Sequence, residues 1–194
     1  MPLPAVLIRP AASPDAFDLA RVHVASWRVA YHGIMPDSAL EALSVDVFAA
    51  GWAKTLGQVQ RSNLVAEARG QVVGFASFGP SRDAVAVPPI GELYALYLDP
   101  AVWGRGVGYA LWSAALNDLR GAGYAGVTLW VLEANTRARS FYERVGFELE
   151  PGVTRALERE GAVLPEVHYR RSLLAPSANP DIAAGDVRPR MASE

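Results

Sequence analysis

Leu93-Tyr94-Ala95-Leu96-Tyr97-Leu98 runs into Asp99-Pro100 and then, after Ala101-Val102, into Trp103-Gly104-Arg105-Gly106-Val107-Gly108. The first six residues form an unbroken apolar run of strand length, closed by a proline. The next six place three alternating glycines immediately before a helix-like segment that begins at Tyr109. A glycine-rich strand-to-helix junction bares backbone N–H groups that have no partner inside the helix. Those donors lie at the positive end of the helix dipole, which suits phosphate oxygens.

Working outward, residues 109–119 read as a helix whose apolar stripe is Val107, Leu111, Ala114, Ala115 and Leu119, with Gly121 and Gly123 as its stop. A strand follows over 126–132 and a short helix over 136–145, ended by Gly146. The last strand candidates are 147–149 and 163–174, separated by a polar excursion. Upstream, 5–9 is β-like and closed by Pro10. Ser13-Pro14-Asp15 then offers helix-start chemistry, with Ser13 as cap and Pro14 at the first helical position. The first helix ends near Gly33, and a second helical region over 37–56 divides into two pieces. Runs 63–68 and 72–78, joined by Arg69-Gly70-Gln71, read as a hairpin. The strand–helix–strand unit over 91–132 should bring two strands side by side in parallel. The expected fold is mixed α/β: a mostly antiparallel central sheet with helices on both faces and one parallel pair. Residues 1–174 form the domain. Residues 175–194, rich in proline and small residues and without periodicity, read as a flexible tail.

Composition narrows the function. The 194 residues carry 18 basic and 20 acidic side chains, a net charge of −2 that gives no electrostatic case for a nucleic-acid partner. No apolar run approaches the roughly 20 residues of a membrane span, and no signal-peptide pattern opens the chain. The absence of cysteine excludes disulfides, thiolate metal sites and a cysteine nucleophile. Three scattered histidines argue against a histidine-rich metal site. The expected location is cytoplasmic, with no metal.

The glycine segment lacks the Lys-Ser/Thr of a P-loop, and Tyr109 stands where a dinucleotide fingerprint has its third glycine. It resembles instead the pyrophosphate loop of the GNAT-type N-acetyltransferases, Arg/Gln-x-x-Gly-x-Gly/Ala, with Trp103 at the Arg/Gln position. About 30 residues on, Asn135-x-x-Ala138-x-x-Phe141-Tyr142-x-x-x-Gly146-Phe147 is similar to the same family's Asn-x-x-Ala-x-x-Phe-Tyr-x-x-x-Gly-Phe block at every named position. The resemblance spans residues 6–174, and 27–37 is similar to the first helical region of a bacterial branch.

The resemblance implies acetyl-coenzyme A as donor and a primary amine of a small molecule or peptide as acceptor, joined by direct attack on the thioester. It implies that the parallel strands splay apart and that pantetheine lies between them beside Leu96, Tyr97 and Leu98. Pyrophosphate would then sit on Trp103, Gly104, Arg105, Gly106, Val107, Gly108 and Tyr109, with Asn135, Arg139 and Tyr142 completing the coenzyme site. An alkyl ammonium with a pKa of about 10.4 is neutral in only about one molecule in 2,500 at pH 7, so a base is worth roughly 4–5 kcal/mol. Glu92, at the family's carboxylate position, is the candidate base; Glu41 and Asp37 are weaker ones. Tyr142 is the candidate acid for the leaving thiolate. Its alternative is a packing role, because Ala138, Phe141, Tyr142 and Val145 share a helical face. Trp27, Tyr31, His32, Trp52 and Tyr94 are candidates for an aromatic acceptor pocket, with core packing the alternative for Trp27 and Trp52. His23 and His168 read as structural or surface residues. A homodimer is possible, with no interface legible. The rival reading within the same fold is a non-catalytic acyl-CoA-sensing module.

Overall fold

The structure, a computed structural model, describes residues 5–83, 88–159 and 162–174; the expected tail at 175–194 lies outside the described residues. Elements follow as β1 (Leu7–Pro10), α1 (Ala16–Ala30), α2 (Asp37–Glu41), α3 (Val45–Leu56), β2 (Ser62–Ala68), β3 (Gln71–Pro80), β4 (Ile90–Leu98), α4 (Val107–Gly121), β5 (Gly126–Leu132), α5 (Thr136–Arg144), β6 (Glu148–Arg159) and β7 (Ala162–Ser172). The seven strands make one sheet in the order β1-β2-β3-β4-β5-β7-β6. Every neighbouring pair is antiparallel except β4 and β5, which are parallel. The fold class is therefore the mixed, mostly antiparallel one expected from the sequence.

Alternation along the strands loads both faces. In β2, Leu64 and Ala66 join the core under α4 and α5, while Val65 joins the core under α1 and α3. On the first side Leu111, Trp112, Ala115 and Leu119 of α4 pack on Val127 and Leu129 of β5. On the second, Leu19 and Val22 of α1 and Trp52 of α3 pack on Phe75 of β3. The β2–β3 turn places Arg69 at φ 53° and Gly70 at φ 76°. Two consecutive left-handed residues make the two-residue hairpin turn whose twist matches its strands.

Two sequence expectations are corrected. Ser13 does not cap α1: Ser13–Asp15 forms a 3-10 turn, and the Asp15 carboxylate accepts from the Ala12 N–H at 2.7 Å while pairing with Arg9 at 2.8 Å. The polar excursion after residue 149 is strand, part of β6. An edge strand pairs on one side only and shows residues 151–156 to solvent, so it carries no apolar alternation to read. A register shift between Leu149 and Thr154, with Gly152 at φ 79°, further breaks its pattern.

Candidate active site

The β4–β5 ladder is short. It pairs Ile90 with Gly126, Gly91 with Val127 and Glu92 with Thr128, and goes no further. On its other edge β4 stays paired with β3 up to Leu98, with one register shift: Ser77 faces Ala95 but Phe78 faces Leu93, so Tyr94 is an inserted bulge residue. A bulge bends its strand and strengthens the local twist. Beyond it β4 and β5 diverge around a cleft of about 520 Å³, bordered by residues 93–98 on one side and by Trp130, Val131 and Leu132 on the other.

At one end of the cleft stand Trp103, Gly104, Gly106, Gly108 and Tyr109. Gly104 and Gly106 sit at φ 72° and 84°, and Gly106 is the residue that precedes α4. These positive angles turn the chain so that the first N–H groups of α4 open toward the cleft. A Cβ at either position would meet nothing within 4 Å, so conformation, not crowding, requires glycine there. Gly108 differs: its Cβ would come within 3.3 Å of Leu98 and 3.5 Å of Phe141. The Trp103 indole donates to the Leu98 carbonyl at 3.0 Å, and the Arg137 guanidinium lies 4.1 Å over its ring. Asn135 caps α5, accepting from the Ala138 N–H at 3.1 Å, and it too lines the cleft.

Tyr31, Tyr97 and Tyr142 converge on the cleft from α1, β4 and α5. The Tyr31 and Tyr97 hydroxyls are 3.3 Å apart. Burial, reinforced by Tyr97, holds the Tyr142 phenol well above its ordinary pKa, and burial does the same for Tyr31. Both are phenols, not phenolates, at neutral pH. Arg82, Tyr94, Trp130, Arg155 and Glu166 also line the cleft. Arg61 and Arg82 stack on the Tyr94 ring at 4.3 and 4.9 Å, and Arg155 stacks on Trp130 at 4.3 Å.

Several sequence candidates stand elsewhere. Glu92 is 1% exposed and does not line the cleft. Its carboxylate accepts from the Arg82 main-chain N–H at 2.9 Å and is gripped by the Arg82 guanidinium. Arg139 turns away to Tyr169 (3.1 Å) and the Glu133 carbonyl (3.0 Å), and Arg137 takes the cleft side of α5 instead. Two positions along a helix are about 200° apart, so only one of the two faces the groove. Arg105 is exposed and Val107 is core, and neither lines the cleft. Trp27 packs with Met35 and Leu164, and Trp52 with Phe75, outside the lining. Glu41, Asp37 and His32 line a separate cavity of about 480 Å³ with Arg28 and Leu40. His23 stacks on Tyr97 at 4.6 Å, and His168 is buried beside Trp130 and Glu150.

Arg82, Arg137, Arg155 and Glu166 were not legible as site residues. Their sequence signal is slight: a lone acidic residue in the middle of β7 for Glu166, and none for Arg82 in its loop.

Residues 25–147 match the acetyltransferase (GNAT) family. An uncharacterized N-acetyltransferase of Bacillus subtilis is 36% identical over 130 residues, 67% of this chain and 73% of that one. A probable N-acetyltransferase of Mycobacterium tuberculosis is 28% identical over 88% of this chain and 96% of its own. The crystal structure of a PaiA N-acetyltransferase from Thermoplasma acidophilum, in complex with coenzyme A, superposes with a TM-score of 0.66 at 22% identity, covering 87% of this chain and 99% of that one. The chain belongs to the GNAT acetyltransferase family. It is an acyltransferase whose donor is acetyl-CoA. No helix among the described residues is long and apolar enough to cross a membrane.

Proposed function

We propose that the protein moves the acetyl group of acetyl-CoA onto a primary amine of a small molecule or peptide, by direct attack within the β4–β5 cleft. The observation that carries this reading is the parallel ladder ending at Glu92–Thr128, with the glycine-opened start of α4 and buried Tyr142 both lining the gap beyond it.

Main-chain N–H groups over residues 104–108 receive pyrophosphate oxygens, and Trp103, Tyr109 and Arg137 flank them. Leu96, Tyr97 and Leu98 present main chain to the pantetheine arm, and a main-chain N–H of that stretch donates to the thioester oxygen. Asn135 orients α5 and offers its amide to the same arm. Tyr142, kept protonated by burial, gives its proton to the departing sulfur as the carbon–sulfur bond breaks. Tyr31 and Tyr94 border the acceptor side. Glu92, with its carboxylate engaged by Arg82, acts as a positioning residue that fixes Arg82 at the acceptor end.

Calorimetric titration with coenzyme A and acetyl-CoA, with ATP and NAD as controls, tests the donor half. Selective micromolar binding of the coenzyme supports the reading and opens a screen of amines. A preference for ATP or NAD overturns it.

A further inference from the structure

We infer that Glu166 is the group that takes the proton from the acceptor's ammonium, so that the acceptor is a cationic amine docked against this carboxylate. The inference rests on the acetyl-transfer reading above.

Glu166 lies on β7 directly opposite Leu132, the last residue of β5, where the splayed strands are farthest past their last pairing. Among the described residues that line the cleft it is the sole carboxylate. Glu92, the other buried glutamate, lies behind Arg82 and outside the lining. Glu166 is 8% exposed. A buried carboxylate is costly unless it is paired. Its pairing is to Arg155 on β6, whose Nε donates to one oxygen at 2.6 Å. Arg155 is itself spread over the Trp130 ring. This arrangement holds the carboxylate in a fixed orientation at the cleft wall. The walls beside it are Tyr31, Trp130 and Leu132. Aromatic and aliphatic faces beside a carboxylate suit an alkylammonium: the carbons meet rings and the nitrogen meets oxygen. Tyr142 lines the same cleft from α5, so a proton acceptor and a proton donor share it.

The proton balance is simple. One ammonium proton passes to Glu166 and on to solvent beside half-exposed Arg155. The neutral nitrogen then bonds to the acetyl carbon, and the carbon–sulfur bond breaks. The sulfur takes the Tyr142 phenol proton. The nitrogen's second surplus proton leaves through Glu166 and restores the phenol. The net products are an amide, a thiol and one proton to solvent.

The experiment compares ethylamine with trifluoroethylamine, which is mostly neutral at pH 7, as acceptors for the wild-type chain, Glu166→Gln and Glu166→Asp. Coenzyme A affinity, measured in parallel, reports folding. Glu166→Gln should lower kcat/KM for ethylamine by about 10²-fold or more and for trifluoroethylamine by under about tenfold, with coenzyme A affinity unchanged. Glu166→Asp, which keeps a carboxylate, should restore part of the loss. Equal losses on the two amines, or none, overturn the proton-accepting role. Wild-type protein that binds acetyl-CoA but acetylates neither amine also overturns it and leaves the donor half intact. Failure to bind acetyl-CoA overturns the acetyl-transfer reading itself.

Discussion

On the proposed donor side of the cleft, the lining comes mostly from one continuous stretch. Residues 98–109 supply the Trp103 clamp onto Leu98, the two left-handed glycines and the opened helix start. On the proposed acceptor side, Tyr31 comes from α1, Arg82 from the β3–β4 loop, Trp130 from β5, Arg155 from β6 and Glu166 from β7. The proposed donor contacts are backbone N–H groups, whose direction is set by local φ angles. The proposed acceptor contacts are charged side chains held by ion pairs, whose positions depend on how distant strands register. A substitution at the first should strain a turn. At the second it should uncouple charges.

The largest effect is expected between the two ends. Tyr142→Phe should lower kcat by about 10²–10³-fold, with coenzyme A affinity nearly unchanged. An unchanged kcat in a chemistry-limited assay would remove Tyr142 as the acid. Next comes the acceptor end. Arg82→Ala leaves the Glu92 carboxylate buried without its partner. It should cost about 2–4 kcal/mol in a urea titration, with much of the loss recovered in the Arg82→Ala/Glu92→Gln double variant. An additive double variant would sever the pair energetically. At the donor end, Gly106→Val forces a β-branched residue to φ 84° with no clash to blame. Coenzyme A Kd should rise about tenfold, the equivalent of roughly 1–2 kcal/mol; undiminished affinity in a folded variant would mean that the loop does not hold the pyrophosphate. The smallest effect separates two arginines on α5. Arg137→Ala should weaken coenzyme A binding by about threefold at low salt and less at high salt. Arg139→Ala should leave affinity alone and lower Tm, because its contacts are to Tyr169 and Glu133. The reverse result would exchange their roles.

Legibility followed the same division. The β2–β3 hairpin, the β4–α4–β5 crossover and the glycine junction were all readable, because each is written in contiguous residues with a turn or helix signal. The cap expected at Ser13 does not form because Ser13–Asp15 closes a 3-10 turn whose Asp15 carboxylate accepts from the Ala12 N–H and from Arg9, a partner that local spacing does not show. The length of β6 was missed because an exposed edge strand needs no apolar face. Glu92 was legible as a strand carboxylate, but its engagement by a loop arginine ten residues earlier was not.

The sequence by itself determined the order of elements, the helix start that suits phosphate, and the Asn135–Phe147 block that carries Tyr142. Each depends on interactions within a few residues, where spacing and side-chain type are sufficient. The tertiary structure alone decided where β4 bulges, how far β4 and β5 stay paired, which arginine of α5 faces the cleft and which glutamate lines it. Those depend on strand register and on contacts across the sheet, such as Leu132 opposite Glu166 and Arg155 beside it. Residues far apart in sequence share a site only after the chain has closed around it.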